Sequence, residues 1–237
     1  MTALVPAENV SPADWLVASL TTFAVSVLSI VPAGFEAYVR VFHPAARDGR
    51  PLRWAAIAAE HGRVAHAGMQ LAAIVGELRV EDSNAGEFFD RVPDEGTLPP
   101  DVAQILPRVL GVHTSTPSRC WFAVWEGFAA LRAYARAAPA FTLPNRRYHL
   151  LSGPVTAAGE RLADARSYDQ TANLWWPDDR AWCVATEIDF KSTYVGCSRA
   201  CADDLLGHGG LEAYEIDPAT GVTWASDTVN PKPVGLV

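Results

Sequence analysis

The chain has 237 residues, 49% of them hydrophobic and 19% charged, which is ordinary globular usage and excludes a chain that is disordered along most of its length. Its formal net charge of −8 repels phosphate backbones, and the one dense cationic pair, Arg146-Arg147, is too small to offset it, so nucleic acid is excluded as a partner. The length suits a core of normal size, and a single globular domain over residues 1–237 is expected.

Residues 1–14 carry Glu8 and Asp14 but no lysine or arginine, unlike a secretory signal. Ser11-Pro12-Ala13-Asp14 reads as a helix start, because serine caps, proline suits the first helical position and the dipole favours a carboxylate in the first turn. Residues 15–31 are apolar enough to suggest a membrane span but contain several serines and threonines. A strand over 22–31, turning at Pro32-Ala33-Gly34 into a strand over 35–42, explains that composition better as a hairpin. In 35–42 the side chains of Ala37, Val39 and Val41 fall on one face and those of Tyr38, Arg40 and Phe42 on the other.

Residues 52–76 predict two short helices broken near Gly62. Residues 81–100, rich in Asp, Glu, Gly and Pro, predict a mobile loop. A helix is predicted over 101–110, a strand over 120–128 and a helix through 129–137. A strand over 147–151 and a proline-led helix over 154–164 follow. Residues 182–190 predict a central strand with Val184 and Ile188 buried, 198–206 a helix and 211–216 a last strand. The fold class expected is α+β, a mostly antiparallel sheet with hairpins, packed with several short helices.

The block Leu174-Trp175-Trp176-Pro177-Asp178-Asp179-Arg180-Ala181-Trp182-Cys183, followed by Thr193-Tyr194-Val195-Gly196, resembles a family of uncharacterised actinobacterial proteins. So does the stretch from Val31-Pro32-Ala33-Gly34-Phe35 to His43-Pro44, and the resemblance covers most of the chain. It implies no activity, and no catalytic or binding residue is carried over from it.

Several groups of residues invite a chemical reading. Gly196-Cys197-Ser198-Arg199-Ala200 lies between a strand and a helix, as a hydrolase nucleophile does, but lacks the final glycine; Ser198 as a helix cap is the simpler account. Cys197 and Cys201, at i and i+4, suit buried small hydrophobes better than a zinc site, and no metal or other cofactor is expected. The four cysteines lack the spacing of a disulfide scaffold, which points to a reducing, cytoplasmic setting. Glu126, and Glu187 with Asp189 two residues along one strand face, would converge with Asp178 and Asp179 if their strands were neighbours, as a catalytic pair or cation site would require. Neutralisation by Arg132, Arg180 or Lys191 is the simpler expectation for these acids.

Trp175 and Trp176 precede Pro177 in an expected loop and should point to different sides, one of them exposed beside Asp178 and Asp179 at the edge of a pocket. The function expected is therefore a cytosolic module that binds a small molecule or a protein partner through this aromatic loop, with no membrane association and with the oligomeric state left open. The alternative is a metal-assisted or acid/base hydrolase, with Glu126 and Glu187 as its weak catalytic candidates.

Overall fold

Along a computed structural model that describes residues 3–76, 89–163 and 170–233, β-structure comes as short strands that pair antiparallel throughout. They are β1 (Val5–Pro6), β2 (Ala37–Phe42), β3 (Ala45–Arg47), β4 (Arg50–Leu52), β5 (Cys120–Trp125) and β6 (Ala140–Leu143). β7 (Arg146–Gly153), β8 (Leu174–Pro177), β9 (Cys183–Ala185), β10 (Ser192–Cys197) and β11 (Ala213–Glu215) follow. Nine of them form one sheet in the order β1-β7-β5-β8-β9-β10-β2-β11, with β6 also on β7; β3 and β4 pair separately. Helices α1 (Asp14–Ser19), α2 (Trp54–Glu60), α3 (Leu71–Val75), α4 (Pro100–Gly111), α5 (Ala133–Arg136) and α6 (Arg199–Gly207) are short, and the fold is α+β as expected.

The two tight hairpins follow from turn chemistry. Pro144-Asn145 joins β6 to β7 with Asn145 at φ +60, as a type II turn requires of its third residue. Asp48-Gly49 joins β3 to β4 with both residues at positive φ, the Asp-Gly hairpin signal, which lay in the sequence but was not among the expected elements.

Both faces of the large sheet are covered. One carries Val39, Val41, Phe122, Trp175, Val184 and Val195 in a core shared with α4, α5 and α6; the other carries Tyr38, Ala123, Trp176, Cys183 and Tyr194 in a core closed by Leu16, Val27 and Ile216. A third cluster, with Phe42, Trp54, Ile57, Met69 and Ile74, joins α2 and α3 to the end of β2. Among the described residues no helix is long and apolar enough to cross a membrane.

Several expectations are corrected. Residues 22–31 are not a strand: they hold a 3₁₀ turn at Val27–Ser29 and a single bridge from Ser26 to Gly221, and β2 pairs with β10 and β11 instead. Ser29 Oγ accepts from the amides of Val25 (2.9 Å) and Ser26 (3.2 Å), so a side chain takes donors that a strand ladder would have used. The central strand is shorter than 182–190. β9 ends at Ala185, and Ile188 is only partly buried, because the Glu187 carboxylate accepts from the Asp189 amide at 2.8 Å and turns the chain. Val184 is buried, as expected. The helix expected over 129–137 shortens to Ala133–Arg136, and that over 154–164 to a 3₁₀ segment, Val155–Gly159. The loop expected at 81–100 lies outside the described residues as far as 88.

Candidate functional site

The residues nominated by sequence have other partners. Residues 174–177 are a strand in mid-sheet and not a loop, so Trp175 and Trp176 do point to opposite sides, but both rings are 1% exposed. Trp175 stacks on Phe122 and meets Trp182 edge-on at 5.1 Å, whereas Trp176 packs edge-on against Trp15 at 6.2 Å. Neither has an exposed face to offer a ligand, which corrects the aromatic-loop site. Asp178 accepts from Arg119 and from Trp121 Nε1 at 3.0 Å. Asp179 accepts from Thr114 Oγ1, Ser115 N, Ser115 Oγ and Ala181 N at 2.7–3.1 Å, pinning the 114–116 loop to the turn after β8. Burial pushes its carboxyl up, but the hydrogen bonds from Ser115 and Thr114 prevail and hold it below its ordinary value of 3.8. Asp179→Ala is expected to cost about 1–2 kcal/mol of stability, measured by urea denaturation, because these bonds lie at the surface.

The other acids are likewise occupied. Glu126 pairs with Arg147; Glu187 and Asp189 share Arg146, at 2.9 Å and 2.8 Å. The acids are therefore paired as the simpler reading expected, but by Arg119, Arg146 and Arg147. Arg180 lies over the Trp15 ring instead, and Lys191 is engaged with Glu95. Among the described residues no group of three or more His, Cys, Asp or Glu side chains is placed to hold a metal ion. Ser198 caps α6, accepting from the Cys201 amide at 3.3 Å, and Cys197 and Cys201 are buried free thiols.

The chemically unusual place lies elsewhere, where β2 and β10 meet the segment before α3. A cavity of about 310 Å³ opens there. Its apolar wall is Trp54, Leu71, Phe190, Val222 and Trp224, the last 56% exposed and hence at the rim. Its polar wall holds Arg40, Gln70 and Ser192, all buried, together with Asp189, Lys191 and Thr223.

Arg40 reaches this position because β2 alternates, which puts it on the face opposite Val39 and Val41, next to Phe42 and across from Tyr194. Its guanidinium lies 4.3 Å from the Phe42 ring centre, 5.4 Å from that of Tyr194 and 5.7 Å from that of Trp54. Nε donates to Ser192 Oγ at 3.0 Å, and Nη1 donates to the carbonyls of Ala67 (3.0 Å) and Met69 (2.8 Å). Burial pulls its pKa down, opposed by Tyr194 and the Asp227 carboxylate. Gln70 Nε2 is buried without a hydrogen-bond partner among the described residues.

The outer wall is a strap that begins at Val222 and is anchored by Asp227. That buried carboxylate accepts from the amides of Val229 and Asn230, from Asn230 Nδ2 and from the amide of Gln70, and it meets His66 Nε2 at 3.0 Å.

The chain matches no protein-family model, no curated protein and no solved structure. Its own geometry therefore carries the functional argument. Asp189 and Lys191, the other charged residues lining the cavity, are engaged with Arg146 and Glu95. Sequence reasoning placed Arg40 on the correct strand face but not in a site. A cation between two aromatics in a strand, Tyr38-Val39-Arg40-Val41-Phe42, was the available signal. Gln70 and Trp224 had none, since only the fold brings them to β2.

Proposed function

We propose that the protein binds a small organic molecule, in the cytoplasm, in the cavity rimmed by Trp224. The observation that carries this reading is a 310 Å³ cavity with an aromatic and aliphatic wall, lined by Gln70, whose buried side-chain amide nitrogen has no hydrogen-bond partner among the described residues. Small-ligand sites have this composition and start near this size. Buried polar groups in folded proteins nearly always have partners, so a bound molecule is the natural partner for this one. Four free, buried cysteines support a reducing compartment. The reading takes over the expected binding function but moves it from the Trp175-Trp176 segment to the far side of β10. It borrows nothing from the actinobacterial family that the sequence resembles.

A thermal-shift screen tests it, using aromatic and short-chain acids, their neutral amides, and sugars. A molecule present at a hundred times its Kd should stabilise the native state by about 2.7 kcal/mol. Trp224→Ala is expected to abolish that shift while changing the stability of the unliganded protein by no more than about 0.5 kcal/mol, since Trp224 is mostly exposed. A hit whose shift survives Trp224→Ala unchanged, or a silent screen, would count against the cavity.

A further inference from the structure

We infer that the occupant of this cavity is a monocarboxylate with a flat apolar body, its carboxylate held by Arg40, Gln70 and Ser192. The inference rests on the binding reading above and adds the ligand's chemical class.

A guanidinium has five N–H donors. Three of those on Arg40 go to Ser192 Oγ, Ala67 O and Met69 O, and Nη2 makes no hydrogen bond among the described residues. Every partner it has is neutral. The surrounding rings ease its desolvation, but among the described residues no carboxylate forms an ion pair with it, although it is only 2% exposed. Asp227 acts on it through space alone, its oxygens being engaged by His66, Gln70 N, Val229 N and Asn230. A buried charge without a counter-charge is costly, and the cavity beside Arg40 is where the counter-charge would sit.

Two neutral donors flank that position. Gln70 Nε2 has no partner among the described residues, and Ser192 Oγ, which accepts from Arg40 Nε, keeps its own proton to donate. Lys191 also lines the cavity but is engaged with Glu95, so Arg40 and two neutral donors remain, a set that suits a single negative charge. A phosphate dianion would face Asp189 on the same wall and Asp227 behind Arg40. At about 30 Å³ per water the volume corresponds to roughly ten waters, enough for one or two fused rings carrying a short acid arm. Those rings would lie between Leu71, Phe190 and Trp224.

The experiment is isothermal titration of the full chain at neutral pH with matched pairs, benzoate against benzamide and indole-3-acetate against indole-3-acetamide, with inorganic phosphate as a third probe. The acid of a pair should bind about tenfold or more tighter than its amide, and tighter than phosphate, as expected for hydrogen bonds to a charged group. Gln70→Glu supplies the counter-charge from within, so it should erase the preference for the acid and raise the Tm of the unliganded protein. Arg40→Met should also erase the preference; should that variant fail to fold, Gln70→Glu carries the comparison. Amides that bind as well as acids, an acid affinity unchanged by Gln70→Glu, or a preference for phosphate would overturn the ligand class and leave the cavity reading standing. If these probes and the wider screen are all silent, both fall together.

Discussion

Trp175→Ala and Trp176→Ala are each expected to lower stability by about 3–5 kcal/mol, the largest losses we predict for single substitutions in this chain. The two residues are adjacent, yet their rings serve different cores. Trp175 stacks on Phe122 at 6.0 Å and abuts Trp182, while Trp176 lies against Trp15 on the opposite face of the sheet. Each ring is enclosed, so truncation leaves a void that the surrounding sheet and helices only partly collapse into. Urea denaturation of both variants beside Trp224→Ala makes the comparison, because that third tryptophan is exposed and should cost little. If Trp176→Ala proved as stable as the wild type, Trp176 would not be part of the core and the exposed-loop reading would return.

The second large effect concerns the strap. Asp227→Ala strips the acceptor from the buried amides of Gln70 and Asn230 and from Asn230 Nδ2, and it separates His66 from its partner. Buried donors left unpaired cost about 1–3 kcal/mol each, so a total near 2–4 kcal/mol is expected after local relaxation. The same change detaches the wall that carries Val222 and Trp224, so ligand affinity should fall along with stability.

Asp227 also predicts an acid limb. Burial pushes its carboxyl up, but hydrogen bonds from Asn230 and Val229 and the proximity of His66 outweigh this and hold it below the ordinary 3.8. A carboxyl with a depressed pKa in the folded state contributes stability that is present above its unfolded value and lost as pH falls through the folded one. Unfolding free energy should therefore fall below about pH 3.8, and less steeply in Asp227→Asn, which cannot titrate. Identical slopes for the two proteins below that pH would remove Asp227 as a contributor.

What the sequence determined by itself is local. The Ser198 cap set the start of α6, the break near Gly62 separated α2 from α3, and the alternation in 35–42 placed Arg40 and Val39 on opposite faces of β2. These features rest on a side chain's reach to its own backbone or on the period of two in a strand, and both are written in a few consecutive residues. The opposed directions of Trp175 and Trp176 were legible for the same reason. Whether each direction led to solvent or to core was decided by the tertiary structure, because helices and loops from distant parts of the chain cover both faces of the sheet. The failed strand at 22–31 belongs here too, since the partner β2 needed was supplied by β10 and β11. The cavity lies furthest from the reach of sequence. Arg40, Gln70, Ser192 and Trp224 come from four separate segments, and periodicity states which way each points without stating what it meets.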